Sequence, residues 1–368
     1  MSTIRRSAML ASVAAGLLLA PSSLPAQAAD ASAPRLTFGA FVDAYYAYDA
    51  GRPLNFDRAF TTQAARANEF NVNLAHVEML ISASRVRGRL ALQAGTSVQA
   101  NYGAEAANGA VSGPLLARHL QEAYAGYQLN DALWVDAGIF FSNMGAESWI
   151  SSDNLTYTRS VVAEYSPYYS TGVRAVWQAS PRLVARLDVI NGWQNISETN
   201  TDKAVGTRLD FTVKEGTTVS HYLYAGTETD GRQRNFTGIT ATSAVTPRLK
   251  LLFQVDVGQQ GRGGGGGTDR WNGGVLVARW AATEAVGLVA RGEWYRDPAQ
   301  VIIVTGVGAP FRATGGSVGL DVSRAGGFTW RTEVKALGAD AEIFPDRAAA
   351  GGTSRTNLLL VSAFTLRM

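Results

Sequence analysis

From residue 36 to the C-terminus the chain repeats one pattern. Runs of period-two alternation are separated by links that are short, then long, then short again. Residues 169–193 show the unit. Thr171, Val173, Ala175 and Trp177 share one parity, and Gly172, Arg174 and Gln178 the other. After Ser180-Pro181-Arg182, Leu183, Ala185, Leu187 and Val189 alternate with Arg186 and Asp188. Successive strand side chains point to opposite faces, so the hairpin has one apolar and one charged face. A soluble sandwich accommodates such a hairpin, and so does a transmembrane barrel with lipid outside and a wet lumen inside.

The order of the links decides between them. Strands are expected over 36–48, 70–82, 86–100, 116–129, 132–142, 169–179, 182–193, 204–214, 216–226, 234–245, 247–258, 271–282, 284–296, 313–324, 327–338 and 355–368, about sixteen in all. Tight links fall near 83–85, 130–131, 180–181, 215, 246, 283 and 325–326. Between them lie 49–69, 101–114, 143–168, 194–203, 227–233, 259–270, 297–312 and 339–354. A sandwich has no reason to lengthen every second connection, whereas an outer-membrane barrel has short periplasmic turns and long extracellular loops. The fold class expected is therefore all-β: a transmembrane, antiparallel, up-and-down β-barrel. In 70–82 the alternation slips, because Phe70, Val72 and Leu74 share the parity of His76 and Glu78; a β-bulge near Ala75 would return the polar pair to the lumen.

The first residues set the compartment. Arg5 and Arg6 precede an apolar run at 9–20, and Ala26-Gln27-Ala28 supplies an A-x-A cleavage site, so 1–28 reads as a secretory signal and 29–368 as one barrel domain. The apolar run is too short to span a bilayer as a helix. Without the two leader arginines, 31 basic residues face 30 acidic ones, which gives no argument for nucleic acid as a partner. No cysteine is present, so thiol catalysis and Cys-based metal sites are out, and no cofactor is implied.

Charged residues keep to one parity. Arg87, Arg89, Arg174, Arg186, Arg208, Lys250, Arg279, Arg291, Arg331 and Lys335 share it with Asp188, Asp210, Glu293 and Glu333, and all are expected to line the lumen. A basic side chain on the lipid face costs about 2–4 kcal/mol at the midplane. Arg174 and Arg186 lie equally far from their turn and should sit at one height, either as charges neutralised by Asp188 and loop acids or as part of a basic ladder. The link 143–168 is the longest, about 26 residues, and a loop of that length is commonly functional. Folded inward, it would set Glu147, Asp153 and Glu164 against the basic wall as a constriction, giving a mild anion preference. Trp177, Trp280 and Trp330 near the tight turns, and Tyr48, Trp193, Trp271 and Trp294 toward the long loops, are placed for two interfacial belts.

The sequence resembles the "putative β-barrel porin-2 (OmpL-like)" family of Gram-negative outer-membrane proteins. The resemblance is carried by FGAFVDAYYAYD (38–49), ARANEFNVNLAHVEM (65–79), LQEAYAGYQL (120–129), VDAGIFFSNMGAE (135–147), YTRSVVAEYSPYYSTGVR (157–174) and VINGWQN (189–195). The family carries a basic residue after the glycine of its V-D-A-G stretch; here Ile139 stands there, and no role of that charge carries over. The resemblance implies an outer-membrane porin for passive diffusion of small hydrophilic solutes, with membrane lipids and the barrel-assembly machinery as partners and a homotrimer as one assembly.

An enzyme of lipase or esterase type and a non-conducting structural or adhesive barrel are the rival readings. His76, His119 and His221 fall on separate strands without a G-x-S-x-G signature, so no catalytic residue is assigned.

Overall fold

The computed structural model describes residues 33–228, 231–264 and 266–368. The leader expected over 1–28 lies outside the described residues. Sixteen antiparallel strands close into one barrel. They are β1 (Arg35–Asp49), β2 (Phe70–Ala83), β3 (Val86–Ala94), β4 (Leu120–Asn130), β5 (Leu133–Phe141), β6 (Tyr169–Ser180), β7 (Leu183–Ile190), β8 (Ala204–Lys214), β9 (Thr217–Glu228), β10 (Arg232–Ala244), β11 (Leu249–Gly261), β12 (Thr268–Ala281), β13 (Val286–Asp297), β14 (Phe311–Ser323), β15 (Phe328–Ala339) and, last, β18 (Thr356–Arg367). β16 (Phe344–Pro345) and β17 (Thr353–Ser354) make a small ribbon inside the final long link. Closure is direct: β1 pairs with β18 from Phe41↔Arg367 to Asp49↔Leu359.

Alternation builds the wall. Outward positions carry Val173, Trp177, Leu187, Val189, Leu209, Phe211, Leu276, Leu288, Val318 and Phe364, all exposed apolar side chains. Inward positions carry the charges, but also buried Leu359, Val361 and Ala363 on β18 and Tyr222 and Tyr224 on β9. Where β5 and β6 face each other, Gly138 lies opposite Gly172. Gly138 has φ 135, and a Cβ there would come within 2.1 Å of the Ala123 carbonyl oxygen, so only glycine fits.

Four local expectations need correction. The strand expected over 86–100 ends at Ala94, and the chain turns at Gly95 into helix α1 (Thr96–Tyr102). The strand expected from 116 begins at Leu120, after helix α2 (Pro114–Ala117), which has Pro in its first turn. The bulge in β2 falls at Asn73, two residues before Ala75: against β1, Asp43 faces Leu74 while Ala44 faces Val72, so Leu74 turns inward with His76 and Glu78. The link between β9 and β10 shortens to 229–231, because both strands run beyond the rim.

The aromatic belt divides. Trp177, Trp280 and Trp330 are exposed on the outer face at the short-turn end, as is Tyr48 at the other end. Trp271 instead is buried inside the barrel, stacked on Phe236, with Trp193 edge-on to both. An indole on an inward parity joins the lumen core, whatever its height.

Candidate channel constriction

The link 143–168 enters the barrel and lies against one side of its wall. It is short of regular structure, with helix α3 (Val161–Glu164) capped by the Ser160 hydroxyl, so most of its backbone groups need partners outside the loop. Arg331 donates to the carbonyls of Ser151 (2.6 Å), Asn154 (3.1 Å) and Leu155 (3.0 Å). Arg291 donates to the Thr158 carbonyl (2.6 Å) and hydroxyl (2.8 Å), and Lys335 to the Arg159 carbonyl (3.0 Å). Glu333 accepts from the Thr158 amide (2.7 Å) and hydroxyl (2.8 Å), and Glu293 from the Val161 amide (2.6 Å). Asp43 on β1 accepts from Ser151 and Tyr157.

Five residues expected to line the pore are therefore roofed by the loop. Arg291, Glu293, Arg331, Glu333 and Lys335 are all buried, and they ion-pair among themselves and with Asp321. Their role is to hold the loop, not to face open lumen.

The opposite arc, β2 to β8, keeps charged groups partly exposed. Arg87 grips Asp136 through two nitrogens, and Arg89 bridges Glu78 and Glu122 at 2.6 Å each. Arg174 grips Asp188 at 2.8 and 2.7 Å. Arg186 and Arg208 face each other across β7 and β8 and share one carboxylate, Asp210. Arg208 also donates to the Asn143 and Gly145 carbonyls at the root of the inward loop. Arg174 and Arg186 are not level: Arg174 faces Asp188, and Arg186 faces Val176, because the turn is centred between Pro181 and Arg182, and the register shift between Gln178 and Ser180 recovers only one residue of that offset. Arg279 pairs with Asp321 at 3.1 Å, and Lys250, half-buried opposite Arg279, has no ion pair or hydrogen bond among the described residues.

On this arc the cation lies over its carboxylate. Side-chain exposure is 19% for Arg87 against 7% for Asp136 and 13% for Arg174 against 1% for Asp188; beyond the arc, Arg279 on β12 repeats it over Asp321 on β14, at 27% against 5%. The long guanidinium arm reaches across the shorter acid, so water meets mostly positive charge.

The three loop acids do not all face that arc. Asp153 pairs with Arg367 on β18. Glu147 turns back on its own loop and accepts from the Ser160 amide and hydroxyl. Burial holds its carboxyl above the usual range, opposed by the Arg291 charge and the Ser160 hydroxyl. Glu164 binds Arg159 in its own loop and Thr61 and Thr62 in the link 49–69, which also folds inward. Asp43, Glu122, Asp136, Asp321 and Arg367 were not among the expected lining residues, whereas Glu78 was expected in the lumen through the β2 bulge. Parity identifies Asp43, Asp136 and Asp321, and also Glu122, which shares the inward parity of Tyr124 and Gly126; the residue a bulge displaces is Gln121, skipped where Ala91 faces Glu122 and Leu92 faces Leu120.

The histidines stay apart. His76 stacks near Phe41, and the His119 imidazole meets the Gln93 carbonyl. On the outer face, His221 lies 3.0 Å from the Thr237 hydroxyl, which also reaches the Tyr222 carbonyl at 2.9 Å. A hydroxyl whose one proton has a carbonyl to serve is poorly placed as a nucleophile.

A family model described as "Putative beta-barrel porin-2, OmpL-like" matches residues 35–367. None of the curated proteins matches the sequence. Among solved structures, the chain is similar to an anion-selective porin from Comamonas acidovorans, with 10% identity and TM-score 0.57, covering 91% of this chain and 100% of that one. It is also similar to the outer membrane channel DcaP of Acinetobacter baumannii, with 8% identity and TM-score 0.58 over 92% and 99% of the two chains. The trimer form of OmpT from Vibrio cholerae gives 7% identity and TM-score 0.60 over 92% and 100%.

Proposed function

The chain belongs to the "Putative beta-barrel porin-2, OmpL-like" family, and from that premise we propose a porin with a defined constriction. It is an outer-membrane porin, a channel for small hydrophilic solutes. The narrow stretch lies between the inward loop 143–168 and the arc β2–β8, the long links face the outside of the cell, and anions pass preferentially.

The observation that carries the anion preference is the layering of cation over carboxylate along that arc, Arg87 over Asp136 and Arg174 over Asp188, repeated beyond it where Arg279 of β12 lies over Asp321 of β14. Arg186 and Arg208 add to it, since two guanidiniums share one acid. A permeating ion feels the outermost charge most strongly, because the buried acid is screened by its own partner. A homotrimer and insertion by the barrel-assembly machinery complete the proposal; the trimer form of a structural neighbour supports the first.

Planar-bilayer recording tests it. Discrete single-channel steps are expected, with a reversal potential in a salt gradient on the anion side. Folded protein without steps would leave the non-conducting barrel, and a cation-side potential would end the anion reading. The informative substitutions are Arg186→Gln with Arg208→Gln, because Arg174 is committed to Asp188 through two bonds. The double change removes two positive charges and leaves Asp210 alone, so the reversal potential should move toward or past zero. An unchanged potential would remove this pair from the ion path. Purified protein should hydrolyse neither lipids nor esters; turnover that His221→Ala abolishes would favour the lipase-type reading instead.

A further inference from the structure

The outer face of the barrel carries a charge pattern that the channel does not use. At the long-link end of the sixteen barrel strands, the outward positions among the described residues hold three charged side chains. All three are arginines, and they lie on adjacent strands: Arg270 on β12, Arg296 on β13 and Arg312 on β14. All three are exposed and lie at the long-link end of their strands.

Register sets them side by side. Arg296 faces Arg312 directly across β13 and β14, and on its other side faces Asn272, two residues from Arg270 on β12. Arg270 faces Gln259, which in turn lies beside Asn235. Directly opposed residues of an antiparallel pair have Cα atoms about 5 Å apart, and like charges there repel. Among the described residues the only ion pair these arginines make is that of Arg312 with Asp340 at 3.7 Å, both side chains more than half exposed. Arg270 and Arg296 have no ion pair or side-chain hydrogen bond among the described residues, in contrast to the inward arginines of the arc, each of which holds a carboxylate.

Height completes the argument. The next outward side chain on β13 toward the barrel middle is Trp294, two residues away, or roughly 6–7 Å along the strand. An outward Trp marks the interface, so the guanidiniums stand just beyond it, at the level of lipid headgroups. Three repelling cations at that level want an anion supplied by the membrane itself, and guanidinium matches phosphate geometry in a bidentate way.

We propose that the outward face of β12–β14 at the long-link end binds the phosphate groups of an anionic lipid in the adjoining leaflet. The inference rests on the outer-membrane reading but not on conduction. Asn235, Gln259 and Asn272 extend the site as hydrogen-bonding partners for headgroup oxygens.

The test is lipid retention by the full-length folded protein in native mass spectrometry. The probes are a diphosphorylated, acylated disaccharide glycolipid, the same glycolipid without phosphates, and inorganic phosphate. Wild type should retain the diphosphorylated form. Arg270→Gln, Arg296→Gln and Arg312→Gln together should weaken retention on the order of 100-fold, and Arg296→Gln alone about fivefold. The single change serves if the triple variant folds poorly, and the triple Lys variant should keep most of the binding. Equal retention by wild type and the Gln variants would overturn the proposal, as would equal retention of the dephosphorylated glycolipid. Displacement by inorganic phosphate at matched phosphate concentration would overturn the lipid as its source. A loss of self-association in the triple variant with lipid retention unchanged would assign the face to a second copy of the chain. Channel steps should be the same in wild type and the triple variant. A wild type that retains the lipid but gives no steps would sink the porin reading and leave this one standing.

Discussion

Arg291→Met is expected to free part of the inward loop and to destabilise the barrel by about 3–5 kcal/mol, the usual cost of breaking one side of a buried charge pair. Arg291 is buried with Glu293 and Glu333, and it donates to both the carbonyl and the hydroxyl of Thr158. Methionine fills much of the volume but leaves Glu333 with no cation in contact. Glu293 keeps Lys335 at 3.1 Å, so the deficit concentrates on the strand that holds Thr158. Two readouts follow: a lower temperature for loss of the folded, heat-modifiable form, and larger, noisier single-channel steps as the loop leaves the lumen. Arg262→Met, on an exposed link, is the control and should change neither. If Arg291→Met unfolds no earlier and its steps match wild type, the loop is not held by this cluster.

Much of this arrangement was legible in the sequence, for a definite reason. In a barrel wall, hydrogen bonding fixes the backbone and the side-chain period is two, so Arg174, Arg186, Arg208 and Arg331 reveal their face by parity alone. Period two does not give height. The turn centred between Pro181 and Arg182, with one register shift beyond Gln178, sets Arg174 opposite Asp188 and leaves Arg186 a step away from it in height. Nor does parity say what meets an inward side chain. Arg186 and Arg331 look alike in sequence, yet one borders the arc and the other is covered by backbone carbonyls of residues 151–155. Trp193 and Trp271 were misplaced because the lumen at that height is an apolar core, which a water-filled channel does not lead one to expect. The outward arginines are the converse case. Arg296 shares its parity with Trp294 and Leu288, and only the register across β12–β14 shows that it has two like neighbours.

Glu164→Gln should release the second inward link, 49–69, and abolish an acid-sensitive step in its attachment. The carboxylate joins the two loops, accepting from the Thr61 hydroxyl at 2.9 Å and from the Thr62 amide and hydroxyl at 3.0 and 2.7 Å, while Arg159 supplies the charge at 3.3 Å. Arg159 is fully buried between the rings of Trp149 and Tyr168, 5.0 and 4.1 Å from their centres, so neutralising its partner strands a cation. The loop it anchors is under tension. Arg52, Phe56, Phe60, Ala64 and Asn68 all have positive φ, between 50 and 63, and each non-glycine residue there costs of order 1 kcal/mol. Once the clamp is cut, that tension favours withdrawal. Burial alone would raise the Glu164 carboxyl, but the Arg159 charge and the Thr62 bonds outweigh it and hold it below the usual range. A depressed acid stabilises the folded form above its unfolded value, about 4.3, and the contribution is lost as pH falls through the folded value. Glu147, held above the usual range, has the opposite slope: its contribution is full below about 4.3 and is lost as pH rises through its folded value. Amide protection factors at residues 61–64, which correct for the intrinsic pH dependence of exchange, should therefore fall in wild type on acidification below about pH 4. They should be low and insensitive to acid in Glu164→Gln, and Glu147→Gln should keep the acid step while gaining protection near neutral pH. Equal exchange in wild type and Glu164→Gln across that range would mean that the carboxylate does not hold the two loops together.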